Sequence, residues 1–277
     1  MLDLDPQRPP VAPRSAATVL VLRPSPTGVE IYCIVRHAKS GFMGGVVAFP
    51  GGKVDAGDRD PRFDALPLHP RTSAFADTPE APRALAVAAC REALEEAALL
   101  PVAGALDAAG ALSLRATLAG GTAFADALDA AGLTLDLSAL SPFGRWITPV
   151  AESRRFDAVF FLRASPAGQV GQHDAHETTD GFWRAPADVL ALWRAGDIQL
   201  APPTVRVLEL LSGCRSLEDA RALADRQSLA PVCPEFIADG GGFLALPGDP
   251  AHSLRERRVD GPTRFVLRDG RFESSDP

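Results

Sequence analysis

The sequence predicts an α/β fold built on a mixed sheet, and three observations predict it. Short apolar runs bounded by turn residues recur from residue 16 to residue 184. Ala- and Leu-rich stretches of helical character lie between and after them, placing helices on both sides of the strands. A chain of 277 residues, 46% of them hydrophobic, has enough apolar surface for one large core with additions.

Taken in order, residues 1–14 are Pro-rich and read as a tail or strap. Residues 16–22 and 29–36 read as strands. In the second, Val29, Ile31, Cys33 and Val35 alternate with Glu30, Tyr32 and Ile34. Residues 24–28 supply the turn between them, and 46–49 form a short strand running into a Gly51-Gly52 loop. Pro61, Pro67, Pro70, Pro79 and Pro82 make 59–82 an irregular insertion rather than added helix. Helix resumes near Ala84. Residues 104–140 suggest two or three short helices, and 146–148, 158–164 and 182–184 read as strands. Pro186 opens a helix with Val189, Leu190 and Trp193 on one side, as proline suits a first turn. Helices follow at 204–211 and 217–229, and a final hairpin over 264–272 turns at Asp269-Gly270. No internal repeat is present.

The chemistry is concentrated in Arg91-Glu92-Ala93-Leu94-Glu95-Glu96. Glu92, Glu95 and Glu96 share one helix face, and like charges at that spacing destabilise a helix unless a cation offsets them. Hard divalent ions take such oxygen ligands and often act with substrate phosphates. A solvated charged face is the bland alternative, and the glycine loop upstream weighs against it.

Together the two segments resemble the Nudix box, Gly-x5-Glu-x7-Arg-Glu-U-x-Glu-Glu-x-Gly-U, where U is aliphatic. Gly52 opens it, Asp58 takes the first acidic position, Arg91, Glu92, Glu95 and Glu96 fill the second half, and Leu99 ends it. Three departures stand out. Asp58 is a methylene shorter than Glu. Ala98 replaces the glycine that permits a left-handed helix end; the alternative is a helix running on to Leu100 and stopped by Pro101. Residues 59–90 occupy a spacer of seven in the pattern. A box split in this way is similar to the Nudix subfamily of peroxisomal coenzyme A diphosphatases and their bacterial relatives. Segments 156–162, 177–183, 202–204 and 246–250 extend that resemblance.

The resemblance implies an α/β/α sandwich with a mixed sheet, extra helices and a C-terminal extension. It divides the chain into a tail (1–14), a Nudix domain (15–213) split by the insertion 59–82, and an extension (214–277) packed on it. It implies metal-dependent hydrolysis of a diphosphate linkage, in coenzyme A or acyl-coenzyme A, with Mg²⁺ or Mn²⁺. The alternatives are ADP-ribose or a dinucleotide as substrate, or a Nudix-fold protein that binds without cleaving. Glu92, Glu95, Glu96 and a loop acid, Glu177, are the expected metal ligands, with Asp174 as competitor for the loop position. Glu92, Glu95 and Arg91 are the expected catalytic set. Arg91 pairs with a box carboxylate, as a guanidinium can. Arg36, Gly51, Gly52 and Lys53 are expected to meet substrate, although the Leu-x3-Arg part of the coenzyme A signature is missing from 37–44. His173 and His176 lack the third ligand of a zinc site.

Composition limits the rest. A formal charge of −7 argues against non-specific nucleic-acid binding, which needs a basic footprint. Lys occurs only at 39 and 53. Cys33, Cys90, Cys214 and Cys233 form no Cys-x-x-Cys, and a reducing cytosol is the default. Residues 1–6 lack the basic start and apolar run of a signal peptide, no stretch reaches transmembrane length, and residues 274–277 carry no Ser-Lys-Leu address. The expectation is a cytoplasmic protein acting on a small phosphorylated molecule, with no membrane or nucleic-acid partner and a homodimer allowed.

Overall fold

Apolar side chains on both sides of a strand require cover on both faces of its sheet. The computed structural model describes residues 3–38, 44–238 and 242–277, and there both faces are covered. β1 (Arg14–Ser25) sends Ala17, Val19 and Val21 to one core and Leu20 and Leu22 to the other. β2 (Gly28–Arg36) divides Tyr32 and Ile34 from Ile31 and Cys33 in the same way. Further strands are β3 (Val46–Ala48), β4 (Gly51–Lys53), β5 (Ser141–Ile147), β6 (Phe156–Ala164), β7 (Thr178–Arg184) and β8 (Gln199–Leu200). Their order is β5-β6-β1-β2-β3-β8, with β4 on β1 and β7 on β2. β1 runs parallel to β6 and β3 to β8, while the other pairs are antiparallel, so the sheet is mixed as expected.

α1 (Pro82–Ala97), α2 (Ala108–Ala119) and α3 (Phe124–Ala131) build the first core. α4 (Pro186–Ala195), α5 (Pro202–Leu211) and α6 (Leu217–Arg226) build the second. This is the α/β/α sandwich. Residues 227–229 are not helical, because α6 ends at Arg226.

The sheet opens at one point that matters for function. β1 and β2 pair from Leu22↔Ile31 to Ser25↔Gly28 and then part. Residues 46–53 fill the opening: β3 pairs with β2 at Ile34↔Ala48, β4 pairs with β1 at Ala17↔Gly52, and Val19 N–H donates to the Pro50 carbonyl at 2.9 Å. Gly51-Gly52, expected as a loop, is therefore a strand. Paired glycine carries no side-chain signal for a strand, yet suits one where other atoms press close.

The insertion folds into 3-10 turns at Pro61–Phe63 and Pro70–Phe75, confirming that it adds no α-helix. Phe63 and Phe75 enter the first core, Phe75 packing edge-on against Phe161 of β6 at 5.8 Å. Asp77 reaches Arg145 at 2.7 Å and the Arg71 guanidinium donates to the Gln227 carbonyl at 2.7 Å, tying the insertion to β5 and to the end of α6. At the N-terminus, Leu4 bridges Glu152, and the Asp3 amide donates to the buried Glu152 carboxylate at 2.7 Å. The tail is a strap.

β9 (Glu235–Ile237), β10 (Phe243–Ala245), β11 (Arg264–Arg268) and β12 (Arg271–Ser275) form a second, antiparallel sheet. The hairpin β11–β12 turns at Asp269-Gly270 with positive φ at both residues, as its sequence demanded. The buried Arg206 of α5 fixes this sheet, donating to the carbonyls of Asp260 and Pro262 and to Ser274 Oγ.

Candidate active site

α1 starts at Pro82, and Ala84 to Cys90 are all buried, which anchors the helix so that its next turn projects the charged residues. The helix ends at Ala97, not Leu100. Ala98 takes a left-handed conformation (φ 50°, ψ 40°), and the Ala98 and Leu99 amides donate back to Leu94 and Ala93. Alanine thus does what the pattern's glycine does, at the cost of a Cβ in that region.

Arg91 is the hub. Its Nε and Nη2 each donate to Asp58 at 2.9 Å, a bidentate pair, and Nη2 also donates to the Lys53 carbonyl. Its Nη1 donates to Glu92 and Glu95, both at 2.9 Å. Asp58 is 1% exposed, and its second oxygen accepts the Asp55 amide at 2.8 Å. The shorter acid therefore needs no reach to the helix, because the long arginine spans the gap. Despite the cost of burial, these carboxylates hold the Arg91 guanidinium well above its ordinary range.

Glu96 is 3% exposed, accepts the Gly51 amide at 2.9 Å and stands 3.8 Å from Arg36. Burial pushes its carboxyl up to about 8; the Glu92 charge adds to the rise, while the Gly51 amide and Arg36 oppose it. Burial likewise raises Glu92 to about 7 against the pull of Arg91, with Glu95 and Glu177 contributing to the rise. Glu95 is raised for the same first reason. Negative charge is concentrated here beyond what the two arginines neutralise.

Glu177 lies across the cleft in an exposed loop and raises all three helix acids. Asp174 has another task. It accepts the Glu177 and Thr178 amides at 3.0 Å and the Thr178 hydroxyl at 2.6 Å, which outweigh its burial and hold it below the usual range. Asp174 shapes the loop, and it lines the cleft together with Glu177. His176 lines the cleft, whereas His173 packs near Gly181. Among the described residues no three His, Cys, Asp or Glu side chains are gathered for a metal.

Arg36 ends β2 and Lys53 ends β4, and both line the same cleft of about 1060 Å³ as Gly51, Gly52, the box acids and Glu177. All the expected site residues thus converge. The signature gap at 37–44 falls largely on 39–43, outside the described residues, as does Lys39. Arg115 of α2, Trp146 of β5 and Leu244 of β10 also line the cleft. No motif marks them, and only the fold brings them there. The donor chemistry fits a hard divalent cation: carboxylate oxygens, mutual repulsion and raised protonation that a cation would relieve. That fit rests on donor type and charge.

Residues 12–211 match the family model described as the NUDT19 Nudix domain. A crystal structure of a NUDIX hydrolase from Alicyclobacillus acidocaldarius is 30% identical, covering 76% of this chain and 96% of its own, with a TM-score of 0.64. The acyl-coenzyme A diphosphatase NUDT19 of Gallus gallus is 28% identical over 131 residues, which cover 43% of this chain and 34% of the chicken protein. The match thus spans about a third of that relative.

Proposed function

Because the chain belongs to the NUDT19 Nudix family, and is a Nudix hydrolase, we propose that it cleaves the diphosphate bond of coenzyme A or an acyl-coenzyme A with Mg²⁺ or Mn²⁺. The observation that carries the reading is the Arg91-centred set of acids facing paired glycines in one cleft. The products would be adenosine 3′,5′-bisphosphate and phosphopantetheine or its acyl form.

Glu92, Glu95, Glu96 and Glu177 are the residues that would hold the cation. When bound, a divalent ion neutralises phosphate charge and lowers the pKa of water. The chain's own work is positioning, on which phosphoryl chemistry chiefly depends. Arg91 fixes the rotamers of Glu92 and Glu95. The Gly51 amide holds one oxygen of Glu96, and Gly52 leaves space beside Glu92. Arg36 and Lys53 bring positive charge to the phosphate end, and a carboxylate of the set takes the proton of the attacking water. The same reading places the protein in the cytoplasm, acting on a small phosphorylated molecule, alone or as a homodimer. No helix among the described residues is long and apolar enough to cross a membrane.

Incubation with coenzyme A, acyl-coenzyme A, ADP-ribose and NADH, with and without Mg²⁺ or Mn²⁺, tests this. Metal-dependent release of adenosine 3′,5′-bisphosphate from the first two is expected, and Glu96→Gln should lower kcat by at least about 10²-fold. Full activity in Glu96→Gln, or cleavage without metal, would refute it.

A further inference from the structure

The cleft does not end at the acids. Its far part runs along the face of the sheet opposite α1, lined by Thr18, Trp146, Ala158 and Phe160. Among the described residues, the charged lining groups all belong to β2, β4, α1, α2, the 174–177 loop and Asp55. The far part is uncharged and largely apolar. Its last wall comes from beyond the matched family domain, which stops at 211. There, Val232 lies alongside β5: its amide donates to the Arg145 carbonyl, and Ile147 N–H donates to the Val232 carbonyl, both at 2.9 Å. This pairing brings Pro234 to the cleft, and β10 brings Leu244, registered against Phe236 and Phe265 and 1% exposed. The wall is held firmly. Arg206 ties its sheet to α5, and the buried Asp249 accepts from Thr263 and Arg264 at 2.9 Å.

We infer that the C-terminal sheet is the selectivity wall of the active cleft, with Leu244 and Pro234 closing an apolar arm for the uncharged chain on the substrate's non-nucleotide side. The inference rests on the proposed function. A substrate fixed by its diphosphate at the acids has one side of this cleft beside each of its two arms. The cationic side, with Arg36, Lys53 and Arg115, suits the phosphorylated nucleotide. The apolar side suits a linear chain, each buried methylene tightening binding by up to about fourfold. Leu244 is therefore a specificity-determining residue.

Two measurements on the full chain test it. In the first, kcat/KM is measured for coenzyme A and for acetyl-, butyryl- and octanoyl-coenzyme A. It should rise with chain length, and Leu244→Phe, confirmed folded by its melting transition, should cut the octanoyl-to-coenzyme A ratio at least fivefold. A rise that survives Leu244→Phe overturns the inference while leaving the diphosphatase reading intact. The second needs no turnover. Without metal, dodecanoyl-coenzyme A brominated at the chain end should quench tryptophan fluorescence more than coenzyme A does, and Trp146→Phe should abolish the difference. Absence of that difference overturns the arm even if coenzyme A is cleaved. Its presence with no coenzyme A cleaved would sustain the arm and sink the reaction.

Discussion

An ideal Cβ added at Gly52 would stand 2.3–2.6 Å from the Glu92 carboxylate, whereas one at Gly51 would strike backbone, 2.5 Å from the Ala17 carbonyl and 2.7 Å from the Thr18 Cα. The two neighbours are thus constrained for different reasons, and their alanine variants should separate. Gly52→Ala displaces a side-chain end that Arg91 holds for chemistry, so kcat should fall by about 10²-fold with the melting temperature nearly unchanged. Gly51→Ala crowds β4 against β1 and should cost about 1–3 kcal/mol of stability, measured by denaturant unfolding. Equal loss of stability in both would contradict this division. The sequence marked both glycines but could not rank them, because the atoms they face belong to β1 and α1. Asp58 and Ala98 teach a related lesson. Their departures from the box were legible, but the remedies were not, since one depends on an arginine's reach and the other on a backbone angle.

At the scale of elements, apolar runs bounded by turn residues and helices opened by proline are legible in the sequence, and several of the shortest strands are not. β2 announces itself through alternation, β1 and β6 as apolar runs, and α4 through its proline start. β8 and β10 are short, so no period could develop. The insertion is the sharpest case. Its prolines correctly argued against α-helix, yet nothing showed that Phe63 and Phe75 would be core residues, because 3-10 turns impose no long repeat. Phe75 is fully buried against Phe161, and Arg59 pairs with Glu80 to draw the ends of the insertion together. Phe75→Ala should therefore destabilise the whole protein by about 3–5 kcal/mol, the range for truncating a buried aromatic. An urea titration monitoring tryptophan fluorescence would show it as a shifted midpoint. Loss of under about 1 kcal/mol would mean that the insertion is an ornament on an independent core.

For the whole molecule, the acid cluster couples stability to pH and to the cation. Glu92 and Glu96 titrate near about 7 and about 8 in the folded chain, against an ordinary carboxylate value near about 4.3 when unfolded. A raised folded-state pKa means that the native state binds more protons than the unfolded one across that interval. Their contribution is fully present below about pH 4 and is lost as pH rises through 7 and 8. Asp174 and Asp249, held low, act on the acid side of this window, and His69, held low by burial, opposes the trend only up to about its ordinary 6.5, one group against two raised carboxyls. Metal-free protein should therefore melt at progressively lower temperature from pH 5 to pH 8. A divalent ion binds the deprotonated acids of the native state, and such binding stabilises by mass action. The rise in melting temperature on adding Mn²⁺ should accordingly be small at pH 5 and largest at pH 8, and Glu96→Gln should flatten both trends. Calorimetry in EDTA and in Mn²⁺ across that range decides the matter: a metal-free melting temperature that climbs toward pH 8 would show that these carboxylates are already neutralised by protein groups, leaving no vacancy of charge for a cation to fill.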